Sequence, residues 1–266
     1  MSRYAAMFER CRAAGEGAFG GFLTLGDPSF EGSLAAADAL VAGGVDFLEL
    51  GIPFSDPVAD GSIIQAAAQR ALAAGVRTAD CLDLISRIRA RHPDVPIGIL
   101  TYANIAIARG FDDFVRDLAA AGADSLLVAD IPSVEAAPYA DAAKAAGLDW
   151  VMIAATNTPK ETLRRIADLS SGFTYCVARA GVTGRDTQNF DHRGLFEELA
   201  AAEAPPPILG FGISSPLSVA AAVREGAAGA VCGSAIVDLL HREGPDALAD
   251  FASAMKAATR LAPVEA

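Results

Sequence analysis

Histidine, tryptophan and paired cysteines are scarce in this chain. Its 266 residues include three histidines, one tryptophan and four cysteines. Cys11, Cys81, Cys176 and Cys232 are widely scattered, with no CxxC pair and no histidine close by. That spacing speaks against a metal site and fits reduced, packed thiols of a cytoplasmic enzyme. Basic charge is also short, with 21 Lys and Arg against 33 Asp and Glu, a formal net charge of −12. A nucleic-acid partner needs a basic face, and no Lys/Arg cluster supplies one. No uninterrupted apolar run reaches the ~18 residues of a membrane span. The first nineteen residues lack the apolar core of a signal peptide, because Arg3, Glu9, Arg10 and Arg12 interrupt them. They predict a short amphipathic helix instead.

What the chain has is apolar sequence in regular alternation. Hydrophobic residues make up 52% and charged residues 20%, enough for one large core, and residues 1–266 are expected to form one domain. Short β-rich runs occur at Phe19–Leu25, Val45–Leu50, Ile97–Thr101, Ser125–Ala129, Trp150–Ala154, Phe173–Ala178, Ile208–Phe211 and Ala230–Gly233. Between them, segments such as Gly32–Ala42, Ala79–Arg91, Asp112–Ala121, Glu135–Ala146, Lys160–Leu169 and Leu217–Glu225 carry apolar residues at helical spacing. A helix repeatedly ends at glycine just before a strand, as in AGGVDFLEL, AAGADSLLV, AAGLDWVMI and EGAAGAVCG. Strands apolar on both faces and alternating with helices imply a parallel sheet covered by helices. Eight such units fit a closed (β/α)8 barrel better than an open sheet. An extra N-terminal helix precedes it, and an insertion at Gly51–Ala74, a loop and a short extra helix, follows the second strand.

Functional groups in such barrels gather at the C-terminal strand ends. Glu49 lies near the end of the second strand and Asp60 in the loop beyond it, which Pro53 and Pro57 stiffen. A carboxyl in a buried strand is costly unless it is paired or used. Tyr102, Asp130 and Tyr175 also fall towards this face. Asp130 reads as structural, and Tyr175 as a barrel-interior residue whose hydroxyl could support proton transfer. Asp46, Asp124 and Asp149 sit at strand starts and read as structural, while Asp27 reads as a turn or capping residue. His92, His192 and His241 lie among charged residues and predict surface positions. Three glycine-rich segments follow the last three strands: RAGVTG at Arg179–Gly184, GFGI at Gly210–Ile213, and Gly233-Ser234-Ala235 opening a short helical run. Each alone is an ordinary tight turn. Together they stand where barrels of this kind hold phosphate on backbone N–H groups.

The stretches LTLGDP, LELGIPFSDPVADG, LTYAN, LLVADIP, RAGVTG, GFGI and GSAIV, in this order between Phe19 and Asp238, resemble the tryptophan synthase α-subunit family. The resemblance implies a (β/α)8 lyase that cleaves indole-3-glycerol phosphate to indole and glyceraldehyde 3-phosphate. It also implies a β-subunit partner in an α2β2 complex, which carries pyridoxal phosphate, and no cofactor in this chain. The family's catalytic acid–base matches Glu49, and its indole-nitrogen ligand matches Asp60. Phe22, Leu100, Leu127, Ala129, Ile153, Tyr175 and Thr183 match the indole and glycerol pocket. Gly184, Phe211, Gly212, Ile213, Gly233 and Ser234 match the phosphate site. Pro53, Phe54, Asp56, Pro57, Asn104 and Pro132 match positions towards the β subunit, and RAGVTG matches the closing loop, in which Arg179 orders its neighbours. Departures are Ser62 in place of the usual proline, Ala155 and Asn157 after the fifth strand, and Arg185-Asp186 beyond the closing loop.

Three other readings compete. One is a stand-alone lyase needing no β subunit, which the intact SDPVADG loop disfavours. Another is a non-catalytic regulatory homologue, which retention of both Glu49 and Asp60 disfavours. The third is a different phosphate-binding barrel, which would carry other acid–base residues at its strand ends.

Overall fold

In a computed structural model of the chain, residues 2–177 and 192–260 are described. Nine strands run in one parallel sheet: β1 Ala18–Thr24, β2 Phe47–Gly51, β3 Ile97–Thr101, β4 Ser125–Val128, β5 Asp149–Trp150, β6 Ile153–Ala155, β7 Thr174–Val177, β8 Pro207–Leu209 and β9 Gly229–Cys232. The pairing order is β5-β4-β3-β2-β1-β9-β8-β7-β6. β5 and β6 are halves of one strand position, separated by Val151 and Met152. The Val151 amide still bonds Leu126 O on β4, and the Met152 carbonyl accepts from Tyr175 on β7. The ring therefore closes, and the fold is the expected (β/α)8 barrel, with its fifth strand divided where an unbroken strand was expected.

The helices outside the ring are α1 Arg3–Ala13, α2 Phe30–Ala42, α3 Ser62–Ala73, α4 Thr78–Arg91, α5 Ala103–Ile107, α6 Phe111–Ala121, α7 Ala137–Ala145, α8 Lys160–Leu169, α9 Arg193–Ala201, α10 Pro216–Glu225, α11 Ser234–Glu243 and α12 Asp246–Ala257. The glycine punctuation is real: Gly44, Gly122, Gly147 and Gly226 all have φ between 84° and 115° as a helix hands over to a strand. The helix in the insertion, α3, spans 12 residues and is longer than its sequence suggested. None of these helices is long and apolar enough to cross a membrane.

Two apolar shells result. One lies between strands and helices, around Leu48, Leu50, Ile99 and Leu126. The other fills the barrel interior, where α1 plugs the floor. Tyr4 packs against Phe173 and Phe47, with ring centroids 5.2 and 6.2 Å away, and its hydroxyl bonds Ser125 Oγ at 3.0 Å. A Cβ on Gly98 would stand 2.8 Å from that hydroxyl, so β3 needs glycine there.

The strand-start aspartates tie the floor together, as expected of structural residues. Asp46 accepts from the Phe19 amide at 2.9 Å and pairs with Lys256 at 2.8 Å. Asp124 accepts from the Ile97 amide and binds Arg3 and Arg89. Asp27 departs from its expected role: its buried carboxylate grips Arg70 with both oxygens, at 2.7 and 2.8 Å. His192 also departs. It is buried, stacks on Phe196 and bonds Glu225 at 3.0 Å, because α10 closes over it. His92 is half-buried against Asp38, whereas His241 is exposed as expected. All four cysteines are buried and free.

Ser62 opens α3 behind Gly61, which has no side chain to cap it. Proline suits the first helical position, and Gly61 at φ −78°, ψ 169° already has the extended backbone that precedes proline. Ser62→Pro is therefore expected to raise the unfolding free energy by about 0.4–1 kcal/mol in a denaturant titration. A loss of stability would show that this helix start is not preformed.

Candidate active site

Glu49 projects from β2 into the barrel, opposite Phe22 on β1 and Gly98 on β3. It is 4% exposed. Burial pushes its carboxyl up to about 8, and the charge of Asp60 adds to the rise. Asp60 lies in the loop between β2 and α3, half-buried. Burial raises it to about 6, against the lowering effect of a hydrogen bond donated by Tyr102. At neutral pH the pair therefore holds one protonated and one ionised carboxyl, the separation of roles that acid–base sites require.

Both carboxyls line one cavity of about 660 Å³, counting its open mouth. Phe22, Leu100, Leu127, Ala129, Ile153 and Tyr175 form its apolar walls. Ile64 from α3, which was given no site role from sequence, joins them, as does Gly210 after β8, which was read only as part of the GFGI segment. The motif at Leu48–Gly61 continues into Ile64, but its lining role depends on α3 folding back over the barrel mouth. Gly210 is required by Tyr175: a Cβ there would stand 2.2 Å from the tyrosine ring.

The same cavity is also lined by glycine-rich segments that follow β8 and β9. Phe211, Gly212, Ile213, Gly233 and Ser234 line it. Gly212 sits at φ +82°, a left-handed conformation that favours glycine. Gly233 is the N-cap of α11 and Ser234 its first residue, so the positive end of that helix meets the cavity. No Lys or Arg contributes among the described residues, so neutral donors would carry the task of binding an anion. Thr183, Gly184, Arg179 and Arg185-Asp186 lie outside the described residues, as does the rest of RAGVTG.

The expected partner-facing positions fall on the same rim. Asp56, Asn104 and Pro132 are exposed, Phe54 and Pro57 half-buried, and Pro53 is buried within the chain. Exposed apolar surface near them comes instead from Val58, Ile107 and Val134, at 71%, 46% and 70% exposure. Ala155 is buried at the end of β6, and Asn157 is exposed in the turn beyond.

The sequence profile of the family described as "Tryptophan synthase alpha chain" matches residues 8–262. The chain belongs to the tryptophan synthase alpha chain family. Curated alpha chains agree. That of Shewanella oneidensis is 49% identical over 265 residues, covering 97% of this chain and 95% of its own. That of Aeromonas hydrophila is 50% identical over 266 residues, covering 97% and 99%. A solved Mycobacterium tuberculosis tryptophan synthase superposes with a TM-score of 0.90 at 34% identity, covering 98% of this chain and 99% of that one. The alpha subunit from Legionella pneumophila gives 0.89 at 28% identity, covering 97% and 98%. Membership makes the chain a carbon–carbon lyase of tryptophan biosynthesis, cleaving indole-3-glycerol phosphate to indole and glyceraldehyde 3-phosphate. The family also implies a β subunit as partner.

Proposed function

We propose that Glu49 is the acid–base of this cleavage and Asp60 the ligand of the indole nitrogen. The observation that carries the reading is one cavity lined both by two carboxyls of separated proton affinity and by glycine-rich backbone with no Lys or Arg among the described residues. Protonated Glu49 delivers its proton to C3 of the indole, turning the ring into an electron sink. The resulting carboxylate takes the proton of the adjacent glycerol hydroxyl as the C–C bond breaks. The bonding pair returns to the ring, leaving indole and an aldehyde, and Glu49 ends protonated as it began. Such acid–base help contributes ~10²–10⁴-fold. Ionised Asp60 accepts the indole N–H and stabilises the positive charge on the protonated ring. The apolar walls hold the indole flat, and the α11 N-terminus with Gly212 anchors the phosphate; the family resemblance adds Thr183 to the glycerol part of the pocket and Gly184 to the phosphate site.

The whole chain is read as one domain. The rim of Pro53, Phe54, Asp56, Pro57, Asn104 and Pro132 is the proposed docking face for the β subunit in an α2β2 complex, and exposed Val58, Ile107 and Val134 supply its apolar area. Pyridoxal phosphate belongs to that subunit, and this chain uses none. Incubation with indole-3-glycerol phosphate, following indole release with and without β subunit, tests the assignment. A large gain on adding β subunit supports the complex, and full turnover without it supports a stand-alone lyase.

The pH dependence follows from the same pair. Activity needs Asp60 ionised and Glu49 protonated, so kcat/KM should rise through about pH 6 and fall through about pH 8. The limbs report the pair titrating together. A profile flat from pH 5 to 9 would reject the two roles.

A further inference from the structure

Tyr102 does not line the cavity, yet it holds a residue that does. It follows β3, and its side chain is buried at 2% exposure. Its hydroxyl accepts the Ala59 amide at 3.2 Å and lies beside the Asp60 carboxylate, whose charged form it favours. Its ring stacks on Phe54, with centroids 5.2 Å apart and planes 28° from parallel. Its carbonyl accepts the Ile105 and Ala106 amides that open α5, and the neighbouring Ala103 amide is held by Asp130 at 2.7 Å. The tyrosine is thus rooted in the barrel at both ends.

Asp60 is not. Its amide makes a long 3.3 Å bond to Pro57 O, and its carbonyl receives Gln65 Nε2. Those contacts fix the backbone of Asp60 and do not touch its carboxylate.

We propose that Tyr102 is the positioning residue for Asp60: its hydroxyl, oriented by the Ala59 amide and steadied by the Phe54 ring stack, aims the carboxylate into the cavity. This deepens the site reading above and rests on it for what Asp60 does there. With the Ala59 N–H on its oxygen, the phenol directs its own proton to Asp60, and donors in such a chain polarise one another. A donor on a carboxylate also favours its charged form. Among the described residues, the other ionisable groups near Asp60 are Glu49 from β2 and Tyr175 from β7, with Asp130 beyond β4 acting on Tyr102. None of them is a cation. Tyr102 is the group among the described residues that opposes protonation of Asp60. The same stack ties Asp60 to the 53–58 loop, so a displacement of that loop reaches the carboxylate through one side chain.

Tyr102→Phe keeps the ring and the stack and removes only the hydroxyl. It is expected to lower kcat/KM about tenfold and to move the acid limb up by roughly one pH unit. Carboxyl-carbon NMR should show the Asp60 titration moving the same way, while glycerol phosphate, probing the phosphate anchor, binds as before. A rate loss uniform in pH, with the limb and the NMR titration unmoved, would reduce Tyr102 to packing and overturn the proposal, as would wild-type behaviour throughout. Should the phenylalanine variant not fold, fluorotyrosine at position 102 is a stronger donor and must move the Asp60 titration down; an unmoved titration again overturns it. Failure of the underlying site reading looks different. In that case Asp60→Asn would leave turnover intact, and the NMR titration would still decide what Tyr102 does to the carboxylate.

Discussion

Glu49→Gln is expected to slow indole release from indole-3-glycerol phosphate by ~10²–10⁴-fold while leaving substrate affinity close to its original value. The substitution is conservative in shape, and it is also nearly conservative in charge. Glu49 holds its proton until about pH 8, so at neutral pH an uncharged carboxyl becomes an uncharged amide in the same buried place. Apolar walls, the phosphate cradle and the Asp60 charge stay as they are. What disappears is a proton able to reach C3 of the ring and a base able to take one from the hydroxyl. An interaction made only in the transition state lowers kcat and kcat/KM together and leaves KM alone. Single-turnover measurements alongside binding of an unreactive indole phosphate separate the two. Turnover within a few-fold of the wild-type rate would remove Glu49 from the chemistry, and a matching loss of binding would make it a structural residue instead.

The barrel was legible because its signals are local. Apolar runs on both sides of a strand, glycine at each helix-to-strand handover and proline in the loop after β2 are all readable within a dozen residues. That Glu49 and Asp60 share one cavity was legible for the same reason, one being an ionisable group in a strand and the other a carboxylate on a stiff loop eleven residues later. Contacts distant in sequence were not. Asp27 and Arg70 are 43 residues apart, and GDP read alone suggests only turn chemistry. His192 looks solvated beside charged neighbours, until Phe196 one turn later and Glu225 on α10 enclose it. The interruption at Val151-Met152 falls inside an unbroken apolar run, since it reflects how β4 and β7 are spaced around the ring and not any breaker residue. Tyr102 was placed on the functional face but given no role, because its use depends on a loop folding back to offer Ala59 and Asp60 together.

The same Glu49→Gln change should stabilise the protein as it inactivates it, and the gain should grow with pH. In the unfolded chain a glutamate ionises near 4.5, whereas in the fold Glu49 keeps its proton to about 8. Between those values the folded state binds a proton that the unfolded state has released, so stability falls as pH rises across the window. The loss reaches at most about 4 kcal/mol by pH 8. Glutamine has no proton to lose and escapes it. Asp60 carries a similar, smaller penalty from its own raised value, but that term is present in both proteins and largely cancels in the difference. Denaturant unfolding of both proteins at pH 5 and pH 8 reads the effect directly: the curves should lie close at the lower pH and separate at the higher, with the variant unfolding later. A difference independent of pH would mean that Glu49 is not held neutral, and the acid assigned to the first proton transfer would be lost with it. A separation of the expected sign would place the cost of keeping this acid protonated in the stability of the barrel itself, which is where strained or desolvated active sites commonly carry it.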